Sequence, residues 1–189
     1  MIKPWKILDS RETFRDQYLG LRTDRCMRED GHIVPTYHVV EQRPWVTVYP
    51  ITDDGNIVLV REYRHAAQII LTAPPGGVSD PGETDWEQVG RRELLEETGY
   101  EARDMRLFGT CYPNPAVQDN EIHFYLALGC TPSAQQSLDP NEEIEVLEMP
   151  YAQFLAYEDF EEQHGLHAAG LFYLERYFAK HPELRPNAS

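Results

Sequence analysis

Basic residues are scarce in this chain: 17 Lys and Arg stand against 32 Asp and Glu in 189 residues, a formal net charge of −15. A surface of that sign repels polyphosphate backbones and anionic headgroups, which argues against nucleic acid or a membrane as the main partner. Cysteine is scarcer still. Cys26, Cys111 and Cys130 are scattered and form no C-x-x-C. Neither a disulfide framework nor a thiolate zinc site is expected, and the three read as reduced, mostly buried thiols. Long apolar runs are missing: no stretch approaches the roughly 18 residues of a membrane span. The opening MIKPWKILDSRETF lacks the apolar segment of a secretion signal, so a cytoplasmic protein is expected. Repeats and low-complexity tracts are lacking too. The chain is 41% hydrophobic and 26% charged, which suits one domain with a proper core and an N-terminal extension.

The stretch at 75–100, PGGVSDPGETDWEQVGRRELLEETGY, carries the chemistry. A loop dense in glycine and proline leads into a helix that crowds acids together. Glu93, Glu96 and Glu97 stand at i, i+3 and i+4, so they share one helix face. Like charges at that spacing repel, and a cation reverses the sign of the interaction. Carboxylate oxygens suit hard cations such as Mg²⁺, Mn²⁺ or Ca²⁺. An acidic pair on a helix is more often simply a solvated face. The glycine loop before it, Arg91 and Arg92 within it, and Gly99 as its stop distinguish this one.

These residues resemble a Nudix box: Gly, five residues, Glu, seven residues, then Arg-Glu-aliphatic-x-Glu-Glu-x-Gly-aliphatic. Gly77 and Glu83 match the first part; Arg92, Glu93, Leu94, Glu96, Glu97 and Gly99 match the second, with Tyr100 at the closing apolar position. One departure stands out. Eight residues, not seven, separate Glu83 from Arg92. The extra residue is placed before Val89, in the loop or first helical turn, where Thr84-x-x-Glu87 and Asp85-x-x-Gln88 both offer capping boxes. The acidic face is then untouched, and the ion pair between Glu83 and Arg92 is the contact put to the test. Gly90 weakens the helix by roughly 1 kcal/mol against alanine, which points to close packing there.

The resemblance implies a hydrolase of nucleoside diphosphates linked to another moiety. It implies metal ligation by Glu93 and Glu97, with Glu96 assisting, and a further ligand in the Gly76 carbonyl. Two or three divalent ions, Mg²⁺ or in its place Mn²⁺, would bridge the diphosphate. A second acidic run, residues 139–145, corresponds to a loop that supplies a metal ligand or general base in related enzymes. Glu142 is the first choice and Glu143 the alternative; read by composition alone, the run is as well a solvated strand end. The segment VREYR ends in Arg64, whose counterpart contacts substrate phosphate or ribose, although an edge arginine in a surface ion pair would look the same. Pro115 stands fifteen residues after Tyr100, a position typical of ADP-ribose pyrophosphatases, and would stiffen a pocket wall. Tyr37 and Trp45 could stack on a nucleobase; Trp45 beside Pro44 also reads as a packed aromatic. Ala73 replaces a glutamate common in relatives, and Asn-Pro-Ala replaces Ser-Pro-Gly around Pro115, so the terminal sugar stays open.

Taken in order, the chain reads as short strands at 5–10, 14–24 and 24–28, the last joined to 33–40 by the hairpin signal Glu29-Asp30-Gly31-His32. Strands follow at 45–52, 57–63, 69–73, 105–112, 122–128 and 142–147. Helices are expected in the box, from a start at Thr84 or Asp85 to a stop at Gly99, at 149–162, and at 166–180 with Leu171, Phe172, Leu174 and Phe178 supplying an apolar face. The expected fold class is α/β (α+β): a Nudix-type α/β/α sandwich with a mixed sheet and an N-terminal β extension. The extension covers residues 1–40, the hydrolase domain 41–182 and a tail 183–189. Two or three strands alone are marginal, and the resemblance implies a homodimer that exchanges this extension. The functional expectation is metal-dependent cleavage of ADP-ribose or a related nucleoside diphosphate sugar. GDP-mannose is the alternative substrate, and a non-catalytic ADP-ribose sensor is a third reading that an intact acidic face disfavours.

Overall fold

The computed structural model describes residues 1–156 and 164–186. Two compact units emerge: Met1–Pro44 with Cys111–Ile122, and Trp45–Thr110 with His123–Ser189.

The first unit is a three-stranded antiparallel sheet of β1 (Lys6–Arg15), β2 (Gly20–Met27) and β3 (Ile33–Glu41), in that order. The single strand expected at 14–24 is broken. Asp16 accepts from the backbone of Tyr18 and Leu19 at 2.8 and 2.9 Å, an Asx turn that reverses the chain. Asp24, 3% exposed, is held by Ser10 and Arg22. Segment 111–122 joins this sheet beside β3, where Val40 donates to the Val117 carbonyl at 2.7 Å and Tyr37 donates to the Ala116 carbonyl at 2.6 Å. Every residue of β1 is exposed.

The second unit is built on a seven-stranded sheet: β4 (Trp45–Thr52), β5 (Asn56–Arg64), β6 (Ile69–Ala73), β7 (Gly76–Val78), β8 (Tyr100–Cys111), β9 (Ile122–Pro132) and β10 (Ile144–Pro150). Its central order is β10-β5-β4-β9-β8, with β6 beside β5 and β7 beside β4. Helices α1 (Trp86–Thr98), α2 (Tyr151–Leu155) and α3 (Gly165–Lys180) complete it, with a 3₁₀ turn at Pro182–Leu184.

The period of two along β4 assigns the layers. Val46 and Val48 point to one face, where they pack with Val89 and Leu94 of α1, Met105, Tyr125 and Ala127. Tyr49 points to the other, where its hydroxyl donates to the His167 carbonyl of α3 at 3.0 Å. Phe124 follows Tyr49 and Tyr125 follows Val46, so β9 alternates in the same way. A helix on each face makes the expected α/β/α sandwich. Both helices approach through glycine. A Cβ on Gly90 would stand 3.0 Å from Met105 Cε and 3.1 Å from Val46 Cγ1; one on Gly170 would stand 2.4 Å from the Tyr49 hydroxyl. Gly170→Ala is therefore expected to lower stability by about 1–3 kcal/mol, read from urea unfolding. A wild-type midpoint in that variant would show that the sheet gives way at no cost.

Several element bounds differ from expectation. The glycine loop contains a short strand, β7, because Gly76 and Gly77 pair with Thr47 and Val46. Strand β8 starts directly after the helix, five residues before the expected 105. Strand β10 starts at Ile144, leaving Glu142 and Glu143 in the turn before it. Phe172 is 58% exposed under the Arg176 guanidinium; the inward side of α3 is His167, Gly170, Leu174 and Phe178. The expected helix 149–162 begins as α2, and its part beyond 156 lies outside the described residues, as do the last three residues of the tail.

Candidate metal and phosphate site

Helix α1 begins where local chemistry directs. Asp85 is the N-cap, its carboxylate accepting from Glu87 and Gln88 at 3.2 and 3.3 Å. Gly99 ends the helix in the left-handed region at φ 75°, its N–H bonded to the Leu95 carbonyl. Ahead of the helix, Asp80 and Glu83 close a turn on each other. Arg92 Nη2 lies 3.3 Å from Glu83, while its Nη1 lies 2.9 Å from both Glu93 and Glu96. One guanidinium therefore collects three carboxylates.

The acidic face is half sunk into the protein. Glu93 is 8% exposed and Glu97 5% exposed, while the Glu96 side chain keeps 42% of its surface. Glu97 Oε2 accepts the Gly76 N–H at 2.8 Å. Glu93 sits against Gly77, where a Cβ would fall 2.6 Å from its carboxyl carbon. At Gly76 a Cβ would fall 2.2 Å from the Val46 carbonyl oxygen. The two glycines thus form a floor without side chains beneath the two acids. Gly77→Ala is expected to dislodge Glu93 and reduce hydrolysis by about tenfold or more, with the far-ultraviolet dichroism unchanged. Unaltered turnover would remove Gly77 from the site.

Electrostatics mark this corner as short of positive charge. Burial pushes the Glu93 carboxyl up to about 7, with Arg92 opposing the rise and Glu96 and Glu142 adding to it. Burial pushes Glu97 up to about 8; the Gly76 N–H opposes, and Glu93, Glu62 and Glu142 add repulsion. Arg92 has its proton held more tightly than usual: burial works against the charge, and Glu93, Glu96 and Glu83 overcome it. Among the described residues, no three His, Cys, Asp or Glu side chains close into a full ligand set. The donors present are nevertheless hard carboxylate oxygens, two of them nearly buried and mutually repelling. That chemistry fits a divalent cation such as Mg²⁺, which uses few protein ligands and completes its shell with water and phosphate oxygens.

Glu142 lies in the turn before β10, where its carboxylate accepts the Asp139 N–H at 3.0 Å. Its charge is felt at Glu62, Glu93 and Glu97. Glu143 is exposed beside it. Arg64 closes β5: its Nη2 is 2.5 Å from Glu62 and its guanidinium carbon 5.7 Å from the Trp45 ring centre. Trp45 thus has a cation over its ring, and His164 at the start of α3 lies 6.4 Å from it. Pro115 belongs to the other unit, exposed in a turn closed by Val117 and Gln118 bonding back to Asn114. Tyr37, in that unit as well, meets Trp5 edge-on at 5.9 Å. Sequence reasoning passed over Glu62. Its signal was present: an acid two residues before Arg64 shares the arginine's strand face.

A NUDIX domain model matches residues 41–169. The chain belongs to the Nudix family. A second model, the nucleoside diphosphate sugar hydrolase N-terminal domain, matches residues 5–40. Among similar proteins is an ADP-ribose pyrophosphatase of Bacillus subtilis (strain 168), 31% identical over 59% of this chain; the match spans 60% of that protein's length. A GDP-mannose pyrophosphatase of Salmonella typhimurium is 30% identical over 74% of this chain and 78% of its own. A methanol dehydrogenase activator of Bacillus methanolicus is 28% identical over 80% and 82%. A solved ADP compounds hydrolase superposes with a TM-score of 0.80 at 22% identity, covering 96% of this chain and 97% of that one, which supports the mixed-sheet Nudix fold. Among the described residues, no helix is long and apolar enough to cross a membrane.

Proposed function

We propose that this Nudix protein hydrolyses the diphosphate bond of ADP-ribose or a related nucleoside diphosphate sugar, releasing a nucleoside monophosphate and a sugar phosphate. The observation that carries the reading is the pair Glu93 and Glu97, nearly buried on the Gly76–Gly77 floor. Glu93, Glu97 and the Gly76 carbonyl are the proposed holders of Mg²⁺, with Glu96 and Glu142 completing the set. A divalent cation in that position supplies neutralisation of the diphosphate and activation of water. Arg92 fixes Glu93 and Glu96 in place through two of its three ion pairs, the third being with Glu83. Arg64 receives phosphate oxygens, and Glu142, or Glu143 beside it, accepts the proton of the attacking water. ADP-ribose digestion analysed by anion-exchange chromatography is expected to give AMP and ribose 5-phosphate; adenosine with ribose pyrophosphate would refute the assigned bond.

GDP-mannose is the second reading, favoured by the longer match to the GDP-mannose pyrophosphatase and by the N-terminal domain model. The kcat/KM ratio for the two substrates separates them. The acting form is proposed to be a homodimer made through the extension, residues 1–40, because a ten-residue strand with every residue exposed, bearing Ile7 and Phe14 at 54% and 51% exposure, calls for a covering surface. Light scattering is expected to give twice the chain mass of 21.9 kDa; the mass of one chain would refute the dimer.

A further inference from the structure

Glu62 is half-buried in β5, two residues beyond the buried run Ile57–Val60 and between the exposed Arg61 and Tyr63. Its register partners are Ile144 on β10 and Leu71 on β6, which are 9% and 5% exposed. The Glu62 side chain itself keeps 14% of its surface. A carboxylate between two aliphatic neighbours is costly unless it is paired. Arg64 is the partner, at 2.5 Å, and it comes from the same strand two positions on. Arg64 has another attachment: its guanidinium lies over the Trp45 ring at 5.7 Å. The arginine is therefore held from two sides, by a carboxylate and by an indole face. Lys in its place would offer a point charge without the planar fork that serves both contacts. Glu62 also stands within electrostatic reach of Glu97 and Glu142. The carboxylate that restrains Arg64 is thereby the one that faces the acidic cluster.

We infer that Glu62 is a positioning residue for the diphosphate: it presets the Arg64 guanidinium against Trp45, at the margin of the acidic cluster, so that the arginine meets phosphate without first being ordered. This rests on the hydrolase reading above. A long side chain loses rotamer freedom when it binds, and that loss falls on affinity when nothing holds it beforehand. Glu62→Gln keeps shape and removes the charge. It is expected to raise KM about tenfold with kcat changed by less than about threefold, the signature of lost binding common to ground and transition states. Glu62→Asp, which keeps the charge on a shorter arm, should recover part of the loss.

The test is a cycle of Glu62→Gln, Arg64→Ala and the double variant, measured on the preferred diphosphate sugar together with the Mg²⁺ concentration for half-maximal rate. If Glu62 acts through Arg64, the double variant is no worse than Arg64→Ala alone and the Mg²⁺ requirement is unchanged. Multiplying effects, or a higher Mg²⁺ requirement in Glu62→Gln, would overturn the inference and make Glu62 a member of the metal cluster. A purely structural role would lower the melting temperature and leave KM alone. A readout independent of turnover is tryptophan emission. Glu62→Gln and Arg64→Ala should shift it alike, and neither should shift it in a Trp45→Phe background. If the wild-type protein cleaves no diphosphate, the hydrolase reading fails while this emission result still decides whether Glu62 holds Arg64.

Discussion

Glu97→Gln is expected to lower kcat on the preferred diphosphate sugar by about a thousandfold, and at the same time to raise the stability of the metal-free protein. The first effect follows from the role proposed for the carboxylate. A cation at a reacting phosphate contributes several kcal/mol of transition-state stabilisation, and about 4 kcal/mol corresponds to a factor of about a thousand. The second follows from the surroundings. Glu97 is 5% exposed, and Glu93, Glu62 and Glu142 all raise the cost of its charge. A neutral amide of the same shape removes that repulsion and still accepts the Gly76 N–H. A variant that is dead and more stable is the behaviour of a site built for its ligand rather than for the empty fold. Loss of activity with loss of stability would instead mark Glu97 as a structural residue.

The stability of the metal-free protein is expected to fall as pH rises from about 5 to about 8, and Mg²⁺ is expected to reverse most of that fall. Glu93 and Glu97 are pushed up to about 7 and about 8 in the folded protein, whereas unfolded carboxyls titrate near about 4.3. Between those values the native state binds more protons than the unfolded chain, so stability decreases with pH through the window. The contribution is fully present below about 4.3 and is lost as both groups ionise. A shift of each unit is linked to about 1.4 kcal/mol. Because the two acids repel each other and titrate as a pair, their shifts do not add, and a net change of a few kcal/mol is expected. Calorimetry in EDTA at about pH 5 and about pH 8, repeated with Mg²⁺, should show the cation raising the melting temperature far more at the higher pH. An equal rise at both would separate metal binding from these two acids.

The sequence made the box legible because its physics is local. The spacing of Glu93, Glu96 and Glu97, the capping signals at Thr84 and Asp85 and the stop at Gly99 all act within a few residues, and the helix formed with Asp85 as its cap. The strand at 45–52 was likewise legible, but that Val46 and Val48 pack on one of its faces and Tyr49 on the other came only from the structure. What escaped was set by distant partners. Glu62 was passed over: its spacing from Arg64 was visible, but its burial comes from the pairing of β5 with β6 and β10. Trp45 offered an aromatic for stacking, but the Arg64 guanidinium lies over its ring. Phe172 had the spacing of a core residue, yet the glycine approach at Gly170 turned α3 so that His167, Leu174 and Phe178 face inward. The Asx turn at Asp16 divided one expected strand into two because a side chain competed with the sheet for backbone donors.

The most direct test of the central claim is phosphate release from ADP-ribose, GDP-mannose, UDP-glucose and a nucleoside triphosphate, with a phosphatase present to liberate product phosphate and with either Mg²⁺ or EDTA. The account predicts release from one diphosphate sugar above the rest, abolished by EDTA and by Glu97→Gln. Release that persists in EDTA, or turnover of the triphosphate alone, would contradict it.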